Sequence, residues 1–303
     1  MYVACSRATA SSGLRIVARN STFNTFQSLS RSNPTSPLRM ELARQETDEI
    51  VPRFLSMTTS SYPDSILVLS HNIQSLGAHL DQVSSDLVYN SASVLLFSET
   101  WTVHNSPETF QLPGFELVSR SDNVQRAASS ATGACCYVNE NMLGQRESMT
   151  TDSIFLVEGS RSISVALVSV NPKLFASVYM SPNAPIALIM ESLRFIVQHP
   201  HTSLVIGGDF NVDFGPNATD AAKKREILNF MTANQLHSPF ENISTSKNGT
   251  FIDNIFTNAQ VARSGKYISF TSLREPLYIE IPNLLQVIFQ VLATRYKCSN
   301  QHQ

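Results

Sequence analysis

Residues 203–213, Ser-Leu-Val-Ile-Gly-Gly-Asp-Phe-Asn-Val-Asp, constrain this chain more than any other stretch. An apolar run through Leu204, Val205 and Ile206 reads as a buried strand, broken at Gly207-Gly208. Asp209 and Asn211 follow at once, two apart, so that they point the same way if the chain stays extended. A glycine pair lets another backbone or a phosphate approach closely. Two readings fit: a strand delivering a working carboxylate at its end, or a strand ending in an Asx-turn in which Asp209 merely caps the backbone.

The rest of the chain supplies more strand ends of the same kind. Ser65–Ser70 reads as a buried strand followed by His71-Asn72, and Ser93–Ser98 as a second one ending on Glu99. Between them Leu76, Leu80, Val83, Leu87 and Val88 recur at helical spacing, predicting a helix over 76–90. Further strands are expected around 115–120, 133–138, 154–158, 162–170, 173–179, 250–257, 266–271 and 276–281, with helices at 185–198 and 220–235. The adjacent Cys135-Cys136 falls on a strand, one side chain to each face. Strands this apolar, interspersed with a few helices, call for an α+β fold in which helices cover two facing sheets.

At 303 residues the chain can bury a sizeable core, and no apolar run approaches the roughly 18 residues that span a bilayer. Residues 1–40 hold five arginines and no acid. This Ser- and Arg-rich segment to about residue 60 reads as a disordered tail or a mitochondrial targeting segment. Residues 64–281 carry 13 basic against 20 acidic residues, a net of −7. That balance excludes broad, non-specific binding of nucleic acid through phosphate neutralisation. A nuclease built on it must offset its carboxylates with a local basic patch and bound metal. Residues 282–303 form a C-terminal appendage whose apolar part, Leu284–Ala293, reads as an extra helix.

Asn72, Glu99, Asp209 with Asn211, and Asp253 all stand at strand ends. Carboxylates and amides, without a cysteine or histidine cluster, are the ligand set that suits Mg²⁺. Each alone reads equally as a turn or solvent-facing polar residue, and it is their recurrence that carries the functional reading.

The motifs Ser70-His71-Asn72, Ser98-Glu99-Thr100-Trp101, Tyr179–Asn183, Gly207–Asn211 and Ile252–Asn258 together resemble the endonuclease/exonuclease/phosphatase family. Within that family they look most like the endonuclease domains of mobile elements such as non-LTR retrotransposons. Gly133–Val138 is similar to the glycine-led central strand of these domains. The resemblance covers residues 64–281. It implies a four-layered α/β sandwich, two facing mixed sheets flanked by helices, with the active site at one edge of the paired sheets. It also implies Mg²⁺-dependent cleavage of a phosphodiester by water, with DNA as partner, no membrane and no deducible protein partner. In its terms Glu99 would bind the metal and Asn72 would assist by hydrogen bonding. Asp209 would orient or deprotonate the attacking water, and Asn211 and Tyr179 would hold phosphate oxygens. Asp253 would orient a histidine. An intracellular site follows, the tail pointing to the mitochondrion and the inferred activity to the nucleus.

The last motif departs from the family. Its usual Ser-Asp-His is Ser272-Leu273-Arg274 here. Arginine stays cationic and can stabilise phosphorane-like charge, but it cannot shuttle a proton. Losing the histidine would cost about 10²- to 10⁴-fold in rate. The sequence therefore supports either a DNA-nicking endonuclease, impaired at Leu273 and Arg274, or a catalytically inactive nucleic-acid-binding or scaffold relic. A phosphoinositide or nucleotide substrate ranks below both. Lys223-Lys224-Arg225, with Lys247, could touch a DNA backbone, although such a run is more often a solvated helix face. Trp101 reads as packing beneath the metal site or as a core aromatic.

Overall fold

The computed structural model describes residues 65–103, 109–123, 131–143, 149–170 and 172–282, apart from 217, 219, 242, 247, 248, 268, 270 and 273. Leu273, Lys247, the N-terminal tail and the appendage after 282 thus lie outside the described residues.

Two sheets form the molecule's centre. The first contains β1 (Ile66–Asn72), β2 (Val94–Ser98), β3 (Phe115–Ser121), β4 (Ala134–Asn139), β10 (Arg263–Lys266) and β11 (Leu277–Ile281), in the order β10-β11-β1-β2-β4-β3. The second runs β5 (Met149–Glu158), β6 (Arg161–Val170), β7 (Lys173–Met180), β8 (Ser203–Asp209) and β9 (Asp253–Thr257). Each sheet holds one parallel pair, β1 with β2 and β7 with β8, and is otherwise antiparallel. A parallel pair needs a crossover. In the first sheet it is α1 (Leu76–Ser84) followed by α2 (Leu87–Asn90), and in the second it is α4 (Ile186–Val197). A short α3 (Glu140–Leu143) follows β4, and α5 (Ala221–Ala233) follows β8.

Strand alternation sets the layers. Val68, Leu96 and Cys136 face the second sheet and join Val165, Val178 and Val205 in the main core. Leu69, Phe97 and Tyr137 face the other way, where Tyr89 of α2 meets Phe97 at 6.1 Å between ring centroids. Cys135 and Cys136 split across the two faces as the alternation requires, and Cys136 Sγ reaches the Ala166 carbonyl of the opposite sheet at 3.2 Å. Helix α4 lies against β5 and β6 and buries Leu188, Ile189, Leu193 and Ile196. The result is a four-layered α/β sandwich. Among the described residues no helix is long and apolar enough to cross a membrane.

Four elements differ from expectation, the first being β5, expected around 154–158 and found to begin at Met149. The helix over 76–90 is two helices, because the Asp86 carboxylate accepts from the Val88 N–H and starts α2 afresh. The strand around 266–271 ends where it was expected to begin, β10 being Arg263–Lys266 and pairing Lys266 with Leu277. Its Arg-Ser-Gly-Lys sequence shows no alternation to read, since an edge strand needs little apolar surface. The strand around 250–257 is confined to Asp253–Thr257.

Both glycines of the central motif are required by contacts. A Cβ on Gly207 would lie 2.8 Å from Ser70 Oγ of the facing sheet. One on Gly208, at φ +153°, would lie 1.8 Å from the Val178 carbonyl oxygen. Gly208→Ala is therefore expected to cost about 2–4 kcal/mol in urea unfolding. Gly159→Ala, at φ +61° with nothing within 4 Å, should cost only about 1 kcal/mol. Equal losses would contradict the crowding argument.

Candidate active site

The carboxyl ends of both parallel pairs deliver their last residues to one place. Asn72 ends β1 opposite Ser98, the last residue of β2, and Glu99 follows directly. In the other sheet Tyr179, Asp209 and Asp253 stand in register across β7, β8 and β9. The two sets meet between the sheets. The Asn72 Nδ2 donates to Glu99 Oε1 at 2.8 Å and to Asp209 Oδ2 at 2.8 Å, so one amide joins the two sheets.

The chain does not stay extended after Asp209. Asn211 adopts φ +47°, and its N–H donates to Asp209 Oδ1 at 2.9 Å. Asp209 makes the Asx-turn and also holds Asn72, so both readings of this motif describe the same residue. The Asn211 side chain turns away from an aligned pair with Asp209, and its Nδ2 donates to the Met180 carbonyl at 2.8 Å. That contact ties it to the end of β7, beside Tyr179. Burial, with Glu99 and Asp209 nearby, pushes the Tyr179 phenol above its ordinary range.

Arg274 reaches the cluster from the loop before β11. Its Nη2 lies 3.6 Å from Asp209 Oδ2 and its Nη1 3.6 Å from Asp253 Oδ2. Of the three buried carboxylates, Asp209 and Asp253 thus lie against one guanidinium, and Glu99 is joined to Asp209 through Asn72. Burial first, and then the Asp253 charge, pushes the Asp209 carboxyl well above the usual carboxylate range. Burial lifts Asp253 to about 6, with Arg274 opposing the rise.

The donor set of the cluster has the character that a divalent cation requires. Asn72 Oδ1 and both carboxylate oxygens of Asp253 are buried without a hydrogen-bond partner. Such groups are costly to leave bare, and a ligand or ion relieves the cost. With all three acids ionised the cluster sums to −2, the charge a divalent cation neutralises. Among the described residues no group of His, Cys, Asp or Glu forms a ready cage for an ion. A hard cation that keeps several waters and takes one or two carboxylates does not need one. The residues fit such a cation.

Two contributions were not visible in the sequence. His71, read in the sequence only as a polar residue after the first strand, is fully buried and anchors the Arg274 loop. Its Nε2 lies 2.9 Å from Ser272 Oγ and its Nδ1 2.7 Å from the Tyr89 hydroxyl. Ser272 in turn donates to the Asn72 carbonyl at 2.8 Å and accepts from the Arg274 N–H at 3.0 Å. Burial pushes His71 down to about 3, so it is neutral in the fold. An unfolded imidazole titrates near 6.5, so below that pH the unfolded chain takes up the proton first. The His71 contribution is complete above pH 6.5 and is lost as the pH falls toward 3. Between pH 7 and 4 the protein should lose roughly 3 kcal/mol more stability than His71→Gln in urea unfolding. Parallel pH profiles would contradict a neutral His71.

Trp101 is the second. It is neither a core aromatic nor packed beneath the site, but 46% exposed, with its Nε1 3.4 Å from Glu99 Oε2.

The basic run sits on α5. Lys223 pairs with Asp220 at 3.3 Å, Lys224 donates to the Gly215 carbonyl at 2.7 Å, and Arg225 is exposed. The hollow beside Lys224 and Arg225 includes none of the residues of the cluster.

Comparison with known proteins places this geometry. Residues 173–274 match the family model described as "Endonuclease-reverse transcriptase". The endonuclease domain of TRAS1, a telomere-specific non-LTR retrotransposon, superimposes with a TM-score of 0.51 at 16% identity, covering 72% of this chain and 98% of that one. Residues 173–274 are thus similar to the endonuclease/exonuclease/phosphatase family, and the chain shares the fold of this structure. An AP endonuclease from Leishmania major matches with a TM-score of 0.55 at 11% identity, over 72% of this chain and 88% of its own. A 3′-5′ exonuclease from Neisseria meningitidis gives 0.52 at 16% identity, over 72% and 100%. At these identities the likeness to solved structures is one of fold. No curated protein matches the sequence.

Proposed function

We propose that this domain is a divalent-metal-dependent phosphodiesterase of mobile-element origin that nicks DNA. The observation that carries the proposal is the amide of Asn72 bridging Glu99 and Asp209, with Arg274 against Asp209 and Asp253. Nucleases of this family generally use a divalent metal. Glu99 and Asn72 Oδ1 would hold it, Mg²⁺ being the ion that the oxygen donors favour. Bound there, it would polarise the phosphoryl group and offset the carboxylate charge. Asp209 would accept a proton from the attacking water, burial having raised its carboxyl above the usual carboxylate range. Tyr179 would donate to a phosphate oxygen, and Asn211, held by Met180 through one amide N–H, would present the other to the same group. Arg274, steered by Asp253, would stabilise the charge that builds on phosphate without moving a proton.

One observation favours the second reading, a catalytically inactive nucleic-acid-binding relic. Arg274 already supplies a cation to two of the three carboxylates. Calorimetry separates the two. The nuclease reading expects Mg²⁺ to bind the full chain and Glu99→Gln to weaken that binding at least tenfold. Absence of Mg²⁺ binding by the unaltered protein would instead support the relic, with arginine standing in for metal.

A further inference from the structure

The loop after β2 carries a side chain that the chemistry above does not use. Trp101 is the chain's one tryptophan, and it is nearly half exposed within 3.4 Å of the Glu99 carboxylate. Its exposure is built in. The Trp101 N–H donates to the Thr132 carbonyl at 2.9 Å, and the carbonyls of Glu99 and Thr100 accept from Ser75 and Leu76 at 2.9 Å each. Thr100 and Thr102, on either side, are buried and bond to one another at 2.8 Å, and Thr102 donates to Asp122. Trp101 stands at φ +56°, a backbone conformation rare for a bulky residue. Gly133 leaves the room this turn needs, since a Cβ there would lie 2.1 Å from Thr100 Oγ1. A strained, fully pinned backbone that holds an aromatic out into solvent does nothing for the core. Strain of this kind concentrates at functional sites.

The indole borders a groove of about 600 Å³ that runs past Gly77, Ala78 and Phe110. We propose that Trp101 stacks on an unpaired nucleobase of the strand whose phosphodiester lies at Glu99. The inference rests on the nuclease reading and narrows its substrate to single-stranded, frayed or bulged nucleic acid. Only an unpaired base offers a free face to an aromatic side chain, and stacking is indifferent to base identity. The charge balance points the same way. A domain of net −7 gains little affinity from phosphate neutralisation, and stacking supplies binding that does not depend on charge.

A single tryptophan makes the test direct. A short phosphorothioate single strand and a hairpin duplex of the same backbone, both resistant to hydrolysis, are titrated in Mg²⁺ onto the full chain and its variants. Trp101 emission is followed in the unaltered protein, and anisotropy of the labelled oligonucleotides in all proteins. The single strand should quench Trp101 and the duplex should not. Trp101→Ala should weaken single-strand binding by about 5- to 100-fold and Trp101→Phe by less than about fivefold, with duplex binding unchanged. Equal loss in Trp101→Phe and Trp101→Ala would assign the residue to its N–H contact with Glu99 and overturn stacking. No change in either variant, with the unaltered protein still binding, would overturn the inference and leave the nuclease reading intact. Failure of the unaltered protein to bind either oligonucleotide would overturn the nucleic-acid reading itself, and this inference with it.

Discussion

Asp209→Asn should lower the rate of hydrolysis by about 10²- to 10⁴-fold, while costing the fold only about 1 kcal/mol. The two effects separate because Asp209 has two oxygens with two duties. Oδ1 closes the turn at Asn211, and an asparagine oxygen closes it equally well. Oδ2 accepts from Asn72 and faces Arg274, and only there does the charge matter. Burial already holds this carboxyl well above the usual range, with the Asp253 charge adding to the push. Neutralising it relieves repulsion in the cluster but turns an amide N–H toward the Asn72 Nδ2 and Arg274 donors, so urea unfolding should show only a small loss. Asp209→Ala should lose the same activity and about 1 kcal/mol more stability, because it also opens the turn at Asn211. A variant with Asn at 209 that still cleaves at the original rate would remove Asp209 from the chemistry.

The second large effect belongs to Arg274. Replacing Arg274 with His, together with Leu273→Asp, should raise cleavage by about 10²- to 10⁴-fold, the range that a positioned proton-transfer group supplies. The loop is held independently of the Arg274 side chain, by Ser272 on the Asn72 carbonyl and by His71. A new imidazole should therefore take up the position with Asp253 beside it. Arg274→Ala gives the opposite test. It leaves Asp209 and Asp253 buried without their cation and should cost about 2–3 kcal/mol in EDTA. Much of that loss should return on adding Mg²⁺, because the ion neutralises the same carboxylates. If the double substitution leaves the rate unchanged, proton transfer at this position is not what limits the protein.

Much of this site was legible before the structure. Apolar runs of five to seven residues ending on Asn72, Glu99 and Asp209 could only be strands buried on both faces, and such strands align their carboxyl ends when they pair in parallel. What the sequence hid was set by local hydrogen bonds or by distant packing. The turn at Asn211 depends on one carboxylate oxygen and reverses the direction expected from two-residue spacing. The break at Asp86 depends on a cap that competes with helix continuation. The exposure of Trp101 comes from backbone bonds that span 24 to 31 positions, its own to Thr132 and those of Glu99 and Thr100 to Ser75 and Leu76. His71 read as a polar residue after the first strand, and its partners Tyr89 and Ser272 are brought to it only by the tertiary fold. Arg274 could be placed at the histidine position by motif alone, but its shared contact with two carboxylates could not.

Conversion of supercoiled plasmid to open circles by the full chain, in Mg²⁺ and in EDTA, tests the central claim most directly, with Asp209→Asn run alongside. The account predicts slow nicking in Mg²⁺, absent in EDTA and absent in Asp209→Asn, and quickened by Leu273→Asp with Arg274→His. Nicking that persists unchanged in Asp209→Asn, or no nicking by any of these proteins, would contradict it.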